Sequence, residues 1–136
     1  MQRRDFLLMT AAITLALPLA AKATTTATYS PELLAAELAA GKTVLLDFTA
    51  SWCSSCQAQG RSLRALRAEN PGYDAAISFI DVDWDTWGKS DLAKQFGIRS
   101  RGSLVILRGD KVLAQTFTHS QKADLKAMLD KAAAAA

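Results

Sequence analysis

Cys53 and Cys56 are the two cysteines of this chain, and two small serines separate them. A thiolate is the nucleophile that attacks a disulfide, and on a helix a second cysteine three residues later lies on the same face. This spacing permits a disulfide to close reversibly with little movement of the backbone. The pair therefore predicts thiol–disulfide exchange, in which Cys53 attacks a substrate disulfide and Cys56 resolves the mixed disulfide.

The residues before the pair predict a buried strand that leads into a helix. The stretch from Thr43 to Thr49 is apolar on both faces apart from Asp47, which is typical of a central strand, and helical spacing begins near Cys53. The free N–H groups and the dipole at a helix N-terminus favour an anion. We therefore expect a lowered pKa for the Cys53 thiol.

Asp47 and Trp52 are the other candidate catalytic residues. An acid inside an apolar strand is expected to have a raised pKa, and it could relay a proton to or from Cys56, directly or through a water. The alternative for Asp47 is a side chain that reaches solvent at the strand edge. Trp52 precedes the nucleophile and is expected to shield one side of it, and simple packing is its alternative role.

Two other uses of the cysteine pair stay open on the residues alone. A structural disulfide between Cys53 and Cys56 would close so small a ring that little chain entropy would be removed. A metal such as copper(I) could be held by the two thiolates. Zinc sites usually need four ligands, and His119 is the one histidine in the sequence.

The rest of the chain predicts helices and strands that alternate along one α/β domain. A helix is expected to begin at Pro31, after the capping hydroxyl of Ser30, and to end at Gly41. The other predicted elements are an edge strand in residues 24–29, a helix from Cys53 to Asn70, a strand at Ile77–Val82, a loop at Asp83–Gly88, a short helix to Phe96, strands at Ser103–Leu107 and Lys111–Phe117, and a helix from Ser120. In the helix from Cys53, we expect Arg61, Arg64 and Arg67 to face water. The tail at Ala132–Ala136 is expected to be frayed. Strands that alternate with helices and end in a hairpin predict a central mixed sheet with helices on both faces.

Residues 1–23 predict an export signal that precedes a domain at residues 24–136. Arg3 and Arg4 stand before an apolar run, and Ala21-Lys22-Ala23 has the pattern of a cleavage site. The run is too short to span a bilayer of roughly 30 Å. The stretch from Arg3 to Leu7 resembles a bacterial twin-arginine signal, with an ordinary Sec-type signal as the alternative. A periplasmic location is therefore expected.

The charge of the chain excludes a strongly basic protein. The formal net charge is +3, but the predicted signal carries three basic residues and one acid, which leaves 13 basic and 12 acidic residues. The remaining arginines are scattered, so the sequence lacks the basic patch of a nucleic-acid-binding protein. A domain of this size can bury its core without disulfides, which favours a chemical role for the cysteines.

Two stretches of the chain resemble signatures of the thioredoxin family. DFTASWCSSC, from Asp47 to Cys56, resembles the strand–WCxxC signature with Asp47 as its buried acid, and the stretch from Phe96 to Val112 resembles a second signature. The resemblance covers nearly all of residues 30–131. It implies a thioredoxin-like fold and a thiol–disulfide oxidoreductase that works without a cofactor beyond its redox-active cysteine pair.

Within that family, the predicted export signal and the sequence LLDFTASWC most resemble the C-terminal domain of the disulfide reductase DsbD. This resemblance implies a monomeric periplasmic reductase that acts on protein disulfides. It also implies a membrane electron donor of the DsbD or CcdA type. A metal-binding protein of the same fold, and an interaction module without efficient turnover, are the alternatives.

The residues Arg101, Gly102 and Ser103 depart from the family pattern, which has a cis-proline where this chain has Gly102. A non-proline cis bond costs about 2.5 to 4 kcal/mol, so we expect a trans peptide there. These three residues are expected to face the substrate. The change could reshape substrate pairing, open the cysteines to metal, or bring Arg101 to the Cys53 thiolate. The alternative is a relaxed turn with Arg101 in solvent.

Trp84 and Trp87 stand between acids in the segment after the second buried strand. Aromatic residues are favoured in protein-binding patches, so the two rings are predicted to form an apolar docking surface near the active face. The alternative is that both rings pack inward on neighbouring helices.

Overall fold

The computed structural model describes residues 25–136, and the predicted export signal at residues 1–23 lies outside the described residues. The described chain contains, in order, β1 (Ala27–Thr28), α1 (Pro31–Ala39), β2 (Thr43–Thr49), α2 (Ser54–Glu69), α3 (Gly72–Ala76), β3 (Ile77–Asp83), α4 (Trp84–Trp87), α5 (Asp91–Gln95), β4 (Leu104–Arg108), β5 (Lys111–Gln115) and α6 (Lys122–Ala135). Within these residues, none of the helices has both the length and the apolar character that crossing a bilayer requires.

The five strands form one mixed sheet in the order β1-β3-β2-β4-β5. Strand β2 runs parallel to β3 and antiparallel to β4, and β4 and β5 form the predicted hairpin. The apolar run of β2 is explained by its central place, because both of its faces are covered. The predicted mixed sheet with helices on both faces is confirmed.

Two apolar clusters fill the two faces of the sheet. The cluster on one face joins alternate β2 residues such as Val44 and Phe48 to Leu34 of α1 and Ala93 of α5. The cluster on the other face joins Leu45 and Ile106 to side chains of α2, α3 and α6, namely Leu63, Leu66, Tyr73, Leu125 and Leu129. Helix α2 is therefore packed firmly against the sheet, which fixes the position of its N-terminus.

Serine side chains cap the starts of two helices, and the cap at Ser30 is the predicted one. The Leu33 N–H donates to the Ser30 hydroxyl at 3.1 Å, which caps α1. Ser90 caps α5 in the same way, through the Ala93 N–H. Serine is a favoured N-cap because its oxygen accepts one of the N–H groups that the first turn leaves unpaired.

The prediction that Arg67 faces water is wrong, because its side chain is only 3% exposed. Its guanidinium donates to Asp74 at 2.7 Å and to the Thr26 hydroxyl at 2.6 Å, and it lies 3.9 Å from the centroid of the Phe79 ring. Buried charges persist in proteins when they are paired and hydrogen-bonded. These partners come from the residue before β1, from α3 and from β3, so helical spacing alone could not reveal them.

Two other expectations about regular structure were wrong. The tail at Ala132–Ala136 is not frayed, because α6 continues through Ala135 and Ala132 is fully buried. The predicted loop that holds the two tryptophans contains the short helix α4. Asp83 caps this helix, since its carboxylate accepts the Thr86 N–H at 3.0 Å.

Candidate functional site

Cys53 occupies the N-cap of α2, at the carboxyl end of the central strand. The Cys56 N–H donates to the Cys53 sulfur at 3.3 Å, and the Ser55 hydroxyl lies 3.4 Å from the same sulfur. Both cysteines are free thiols, with exposed fractions of 4% for Cys53 and 1% for Cys56. The predicted geometry, a nucleophile at a helix N-terminus with its partner one turn behind, is therefore present.

The two thiols have opposite pKa shifts. Burial raises the pKa of Cys53, but hydrogen bonds from the Cys56 thiol, the Ser55 hydroxyl and the Cys56 backbone N–H outweigh it and lower the pKa to about 6. Burial and the hydrogen bond to Cys53 raise the pKa of Cys56 to about 11. At neutral pH, Cys53 is thus the thiolate that can attack, and Cys56 is a thiol that must lose a proton before it can.

Asp47 is buried as predicted, with 5% of its side chain exposed, and its Oδ1 atom has no hydrogen-bond partner among the described residues. Burial raises the pKa of Asp47 to about 8, and the charge of Asp81 on the neighbouring strand acts in the same direction. The Gln59 amide opposes this shift. A carboxyl with this pKa can both hold and release a proton near neutral pH.

A cavity of about 90 Å³ lies between the sheet and α2, and it reaches both Asp47 and Cys56. Further along it are Gly60, Arg64 and Asp81. A polar cavity of this size has room for water, which needs about 30 Å³ per molecule in the liquid. The cavity therefore provides the space for the proton relay between Asp47 and Cys56 that the sequence predicts.

Gly102 adopts a backbone conformation that proline cannot reach. Its φ is +84°, whereas the proline ring fixes φ near −65°. Its N–H donates to the Phe48 carbonyl at 2.6 Å, a bond that proline lacks the hydrogen to make. A Cβ at this position would lie 3.1 Å from the His119 nitrogen. All described peptide bonds are trans, as predicted for the one before Gly102.

Gln59 is a site residue that the sequence analysis missed. Its side chain is 2% exposed, and its Nε2 donates to the Gly102 carbonyl at 3.0 Å. Its Oε1 accepts the Ser120 N–H at 2.6 Å. The available signal was its spacing, because a polar residue three positions after Cys56 falls on the buried face of α2.

Arg101 is exposed, but its side chain lies over the Trp52 ring beside the cysteine pair. Its guanidinium carbon is 4.6 Å from the centroid of the Trp52 ring, and its side chain is the smallest of the influences that lower the pKa of Cys53. Trp52 is 57% exposed, and its Nε1–H donates to Asp85 at 2.9 Å. Asp85 and Arg101 thus hold the indole from two sides, beside the nucleophile.

The other predicted substrate-facing residues turn toward the protein interior. Ser103 is fully buried, and its hydroxyl donates to the Ser100 carbonyl at 2.7 Å. Trp84 is half-buried against the cysteines, and Trp87 packs edge-on against Tyr29 with ring centroids 4.9 Å apart. Both tryptophans therefore adopt the inward packing that was their alternative, and Trp52 is the exposed aromatic residue beside the nucleophile.

Within residues 25–136, no group of three or more His, Cys, Asp or Glu side chains is placed to hold a metal ion. His119 is exposed, and its Nδ1 lies 3.4 Å from the Thr118 hydroxyl. The metal-binding alternative thus finds no third ligand in this part of the chain.

Comparisons with known proteins agree with this site. A family model described as Thioredoxin matches residues 21–131. The chain is 38% identical over 74 residues to a thioredoxin of Chlorobaculum thiosulfatiphilum, covering 54% of this chain and 64% of that protein. It is 33% identical over 95 residues to a protein disulfide-isomerase of Oryctolagus cuniculus, covering 66% of this chain and 18% of that protein. The chain thus spans less than two thirds of the length of these relatives.

Solved structures support the fold. The crystal structure of Trxlp from Edwardsiella tarda has a TM-score of 0.67 and 24% identity, covering 77% of this chain and 98% of that one. The thioredoxin of Malassezia sympodialis has a TM-score of 0.66 and 22% identity, covering 79% of this chain and 93% of that one. At such identities the likeness concerns the arrangement of helices and strands alone.

Proposed function

The chain belongs to the thioredoxin family, and we propose that it is a periplasmic thiol–disulfide oxidoreductase that reduces disulfides in other proteins. The observation that carries the proposal is the contrast between the two thiols. The pKa of Cys53 is lowered to about 6 while that of Cys56 is raised to about 11, with a buried acid beside them. A structural disulfide has no use for this contrast, whereas a two-step exchange depends on it.

In the first step, the Cys53 thiolate attacks one sulfur of a substrate disulfide. A bond forms between Cys53 and that sulfur, and the second substrate sulfur leaves with the electron pair and takes a proton from solvent. The hydrogen bonds to the Cys53 sulfur from the Cys56 N–H and the Ser55 hydroxyl keep the nucleophile ionised before attack. The Arg101 side chain also favours the ionised form of the same sulfur.

In the second step, Cys56 attacks Cys53 and releases the reduced substrate. The Cys56 thiol must lose its proton first, and the Asp47 carboxylate accepts it, directly or through water in the cavity that both residues line. The protein is left with a Cys53–Cys56 disulfide, so the two electrons have passed to the substrate. Because the pKa of Asp47 is about 8, this base is mostly protonated at neutral pH.

The proposal also includes the direction of electron transfer and the cellular location of the protein. The likeness of LLDFTASWC to the C-terminal domain of the reductase DsbD supports reduction, and it supports a membrane electron donor of the DsbD or CcdA type. The twin-arginine-like stretch from Arg3 to Leu7 supports export to the periplasm. We propose a monomer that presents Trp52 and Arg101 to unfolded or partly unfolded protein substrates.

Insulin reduction driven by dithiothreitol tests the activity. The wild-type chain is expected to accelerate reduction, Cys53→Ser is expected to be inactive, and Cys56→Ser is expected to accumulate a mixed disulfide through Cys53. Ser54→Ala is the matched control, because it changes a small side chain between the cysteines and leaves both thiols in place. Equal rates for wild type and Cys53→Ser would exclude the proposed function.

A further inference from the structure

Asp81 stands directly beside Asp47 on the neighbouring strand. Strands β2 and β3 are parallel, and their register pairs Asp47 with Asp81. Adjacent strands lie roughly 4.8 Å apart, and paired residues project from the same face of a sheet. The two carboxyl groups are therefore close neighbours on the face that α2 covers. Asp81 is not among the site residues that the sequence predicts.

The two acids also share the cavity beside Cys56. Asp47 and Asp81 both line it, and Cys56 lines it from α2. Asp47 is 5% exposed with an unpartnered Oδ1 atom, whereas Asp81 is exposed at the end of the pair nearer to solvent. Asp47 thus lies in the interior next to Cys56, and Asp81 lies closer to the surface.

The charges around the pair are few. Arg64 and Arg67 approach from α2. Burial raises the pKa of Asp81, and the charges of these two arginines oppose that rise. The charge of Arg67 is also shared with Asp74, at 2.7 Å. From α2 the cavity is also reached by Cys56, and Cys53 lies near enough to act on Asp47. From β4, the register partner of Asp47 is the apolar Leu104.

Two neighbouring carboxyl groups cannot both ionise easily, because the second charge must form beside the first. Asp81 is the more exposed, so it ionises first and its negative charge acts on Asp47. The charge of Asp81 is the second-largest cause of the raised pKa of Asp47, after burial.

We propose that Asp81 is a positioning residue for the exchange reaction, whose carboxylate keeps Asp47 protonated at neutral pH and so sets the pH range in which Cys56 is activated. This inference rests on the proposed function, because it concerns the second step of that reaction. In that step the Cys56 proton passes to the Asp47 carboxylate, the Cys56–Cys53 bond forms, and the bond from Cys53 to the substrate sulfur breaks. The substrate sulfur leaves with the electron pair and is protonated by solvent.

The proposal predicts a gain of rate when the acid is removed. In Asp81→Asn, Asp47 ionises more easily, and the midpoint of its titration is expected to fall by about one pH unit. If the rate of the second step follows the ionised fraction of Asp47, a fall from about 8 to about 7 raises the rate at pH 7 about fivefold. Asp81→Glu keeps the charge and is expected to keep the wild-type midpoint.

Two measurements on the full folded chain test this. The first is the titration of the Asp47 carboxyl by carbon-13 NMR in the reduced protein, which needs no activity. The second is the pH profile of insulin reduction. Asp110→Asn is the matched control, because it removes one exposed acid at the β4–β5 turn, at the far end of the sheet. Asp81→Ser is the second variant, to be used if Asp81→Asn does not fold.

The outcomes distinguish a failure of the role of Asp81 from a failure of the proposed function. A lower midpoint in Asp81→Asn, with unchanged midpoints in Asp81→Glu and Asp110→Asn, supports the role of Asp81. An unchanged midpoint in Asp81→Asn, or in Asp81→Ser where Asp81→Asn does not fold, overturns it, even if the wild-type chain reduces insulin. An inactive wild-type chain with a shifted Asp47 titration would instead contradict the proposed function and leave the electrostatic coupling standing.

Discussion

The side-chain nitrogen of Gln59 donates to the Gly102 carbonyl at 3.0 Å, which joins the helix that carries both cysteines to the loop that faces them. The same side chain accepts the Ser120 N–H and so reaches the start of the last helix. Three segments that are distant in sequence are therefore held together by one buried amide. The loop that lacks the family's cis-proline is fixed by this amide and by the bond from Gly102 to Phe48.

Gln59→Leu is expected to destabilise the protein by about 2 to 4 kcal/mol, because the buried Gly102 carbonyl and the partly buried Ser120 N–H lose their partner. Urea denaturation of the reduced protein measures this change. The exposed Gln95 in α5 gives the matched control, and Gln95→Leu is expected to change the free energy of unfolding by less than about 0.5 kcal/mol. Equal effects of the two changes would show that the Gln59 contacts do not stabilise the loop.

Gly102→Ala is expected to cost more stability than Gly97→Ala. Both glycines have positive φ, at +84° and +65°, so both changes carry the strain of a left-handed residue. A Cβ at Gly102 would also meet His119 at 3.1 Å, whereas one at Gly97 meets nothing within 4 Å. We expect an extra loss of about 1 kcal/mol at Gly102, measured by urea denaturation.

Gly102→Pro is a separate prediction about the family pattern. Restoring the family's proline is expected to destabilise this chain by about 3 kcal/mol or more, since φ is wrong and the bond to Phe48 is lost. An unchanged or higher free energy of unfolding would mean that the loop readily adopts the family conformation.

Arg101→Ala is expected to raise the pKa of Cys53, because a cation and a hydrogen bond that favour the thiolate are removed. The pH dependence of iodoacetamide alkylation measures this pKa, and its midpoint should move upward from about 6. Arg99→Ala removes an exposed arginine two residues away and serves as the control. A midpoint that stays the same in both variants would return Arg101 to a role on the surface only.

The stability of the protein is expected to fall as pH rises through the range set by Asp47. The pKa of this group is raised from 3.8 to about 8 in the folded state, so the unfolded chain releases its proton first. Its contribution is fully present below 3.8 and is lost as pH rises toward 8, at up to about 1.4 kcal/mol per pH unit.

Asp47→Asn removes this dependence. Urea denaturation at several pH values should show the variant gaining stability relative to the wild type between pH 4 and pH 8. Asp110→Asn, at the β4–β5 turn, should follow the wild-type curve. If the wild type and Asp47→Asn have parallel curves, the folded state does not raise the pKa of Asp47.

Local signals in the sequence predict most of the fold and the centre of the site. Ser30 and Pro31 mark the start of α1, the apolar run from Thr43 to Thr49 marks the central strand, and the two cysteines mark the helix start after it. Each of these signals lies within a few neighbouring residues, so it survives without knowledge of the tertiary structure.

The residues that the sequence analysis missed or misplaced depend on contacts between distant segments. The charge of Arg67 is satisfied by the Thr25 carbonyl and the Thr26 hydroxyl, 42 and 41 residues away. Gln59 bonds to residues 43 and 61 positions later. The pairing of Asp81 with Asp47 depends on the register of two strands. Helical or strand periodicity carries no information about these pairings.

The equilibrium of the Cys53–Cys56 pair with glutathione tests the central claim most directly, because it measures both the reversibility of the disulfide and its tendency to give up electrons. A reductase of this family is expected to have a potential of about −200 mV or lower. A potential near about −120 mV would identify an oxidant and contradict the proposed direction, and the absence of any glutathione-dependent equilibrium would contradict the redox role itself.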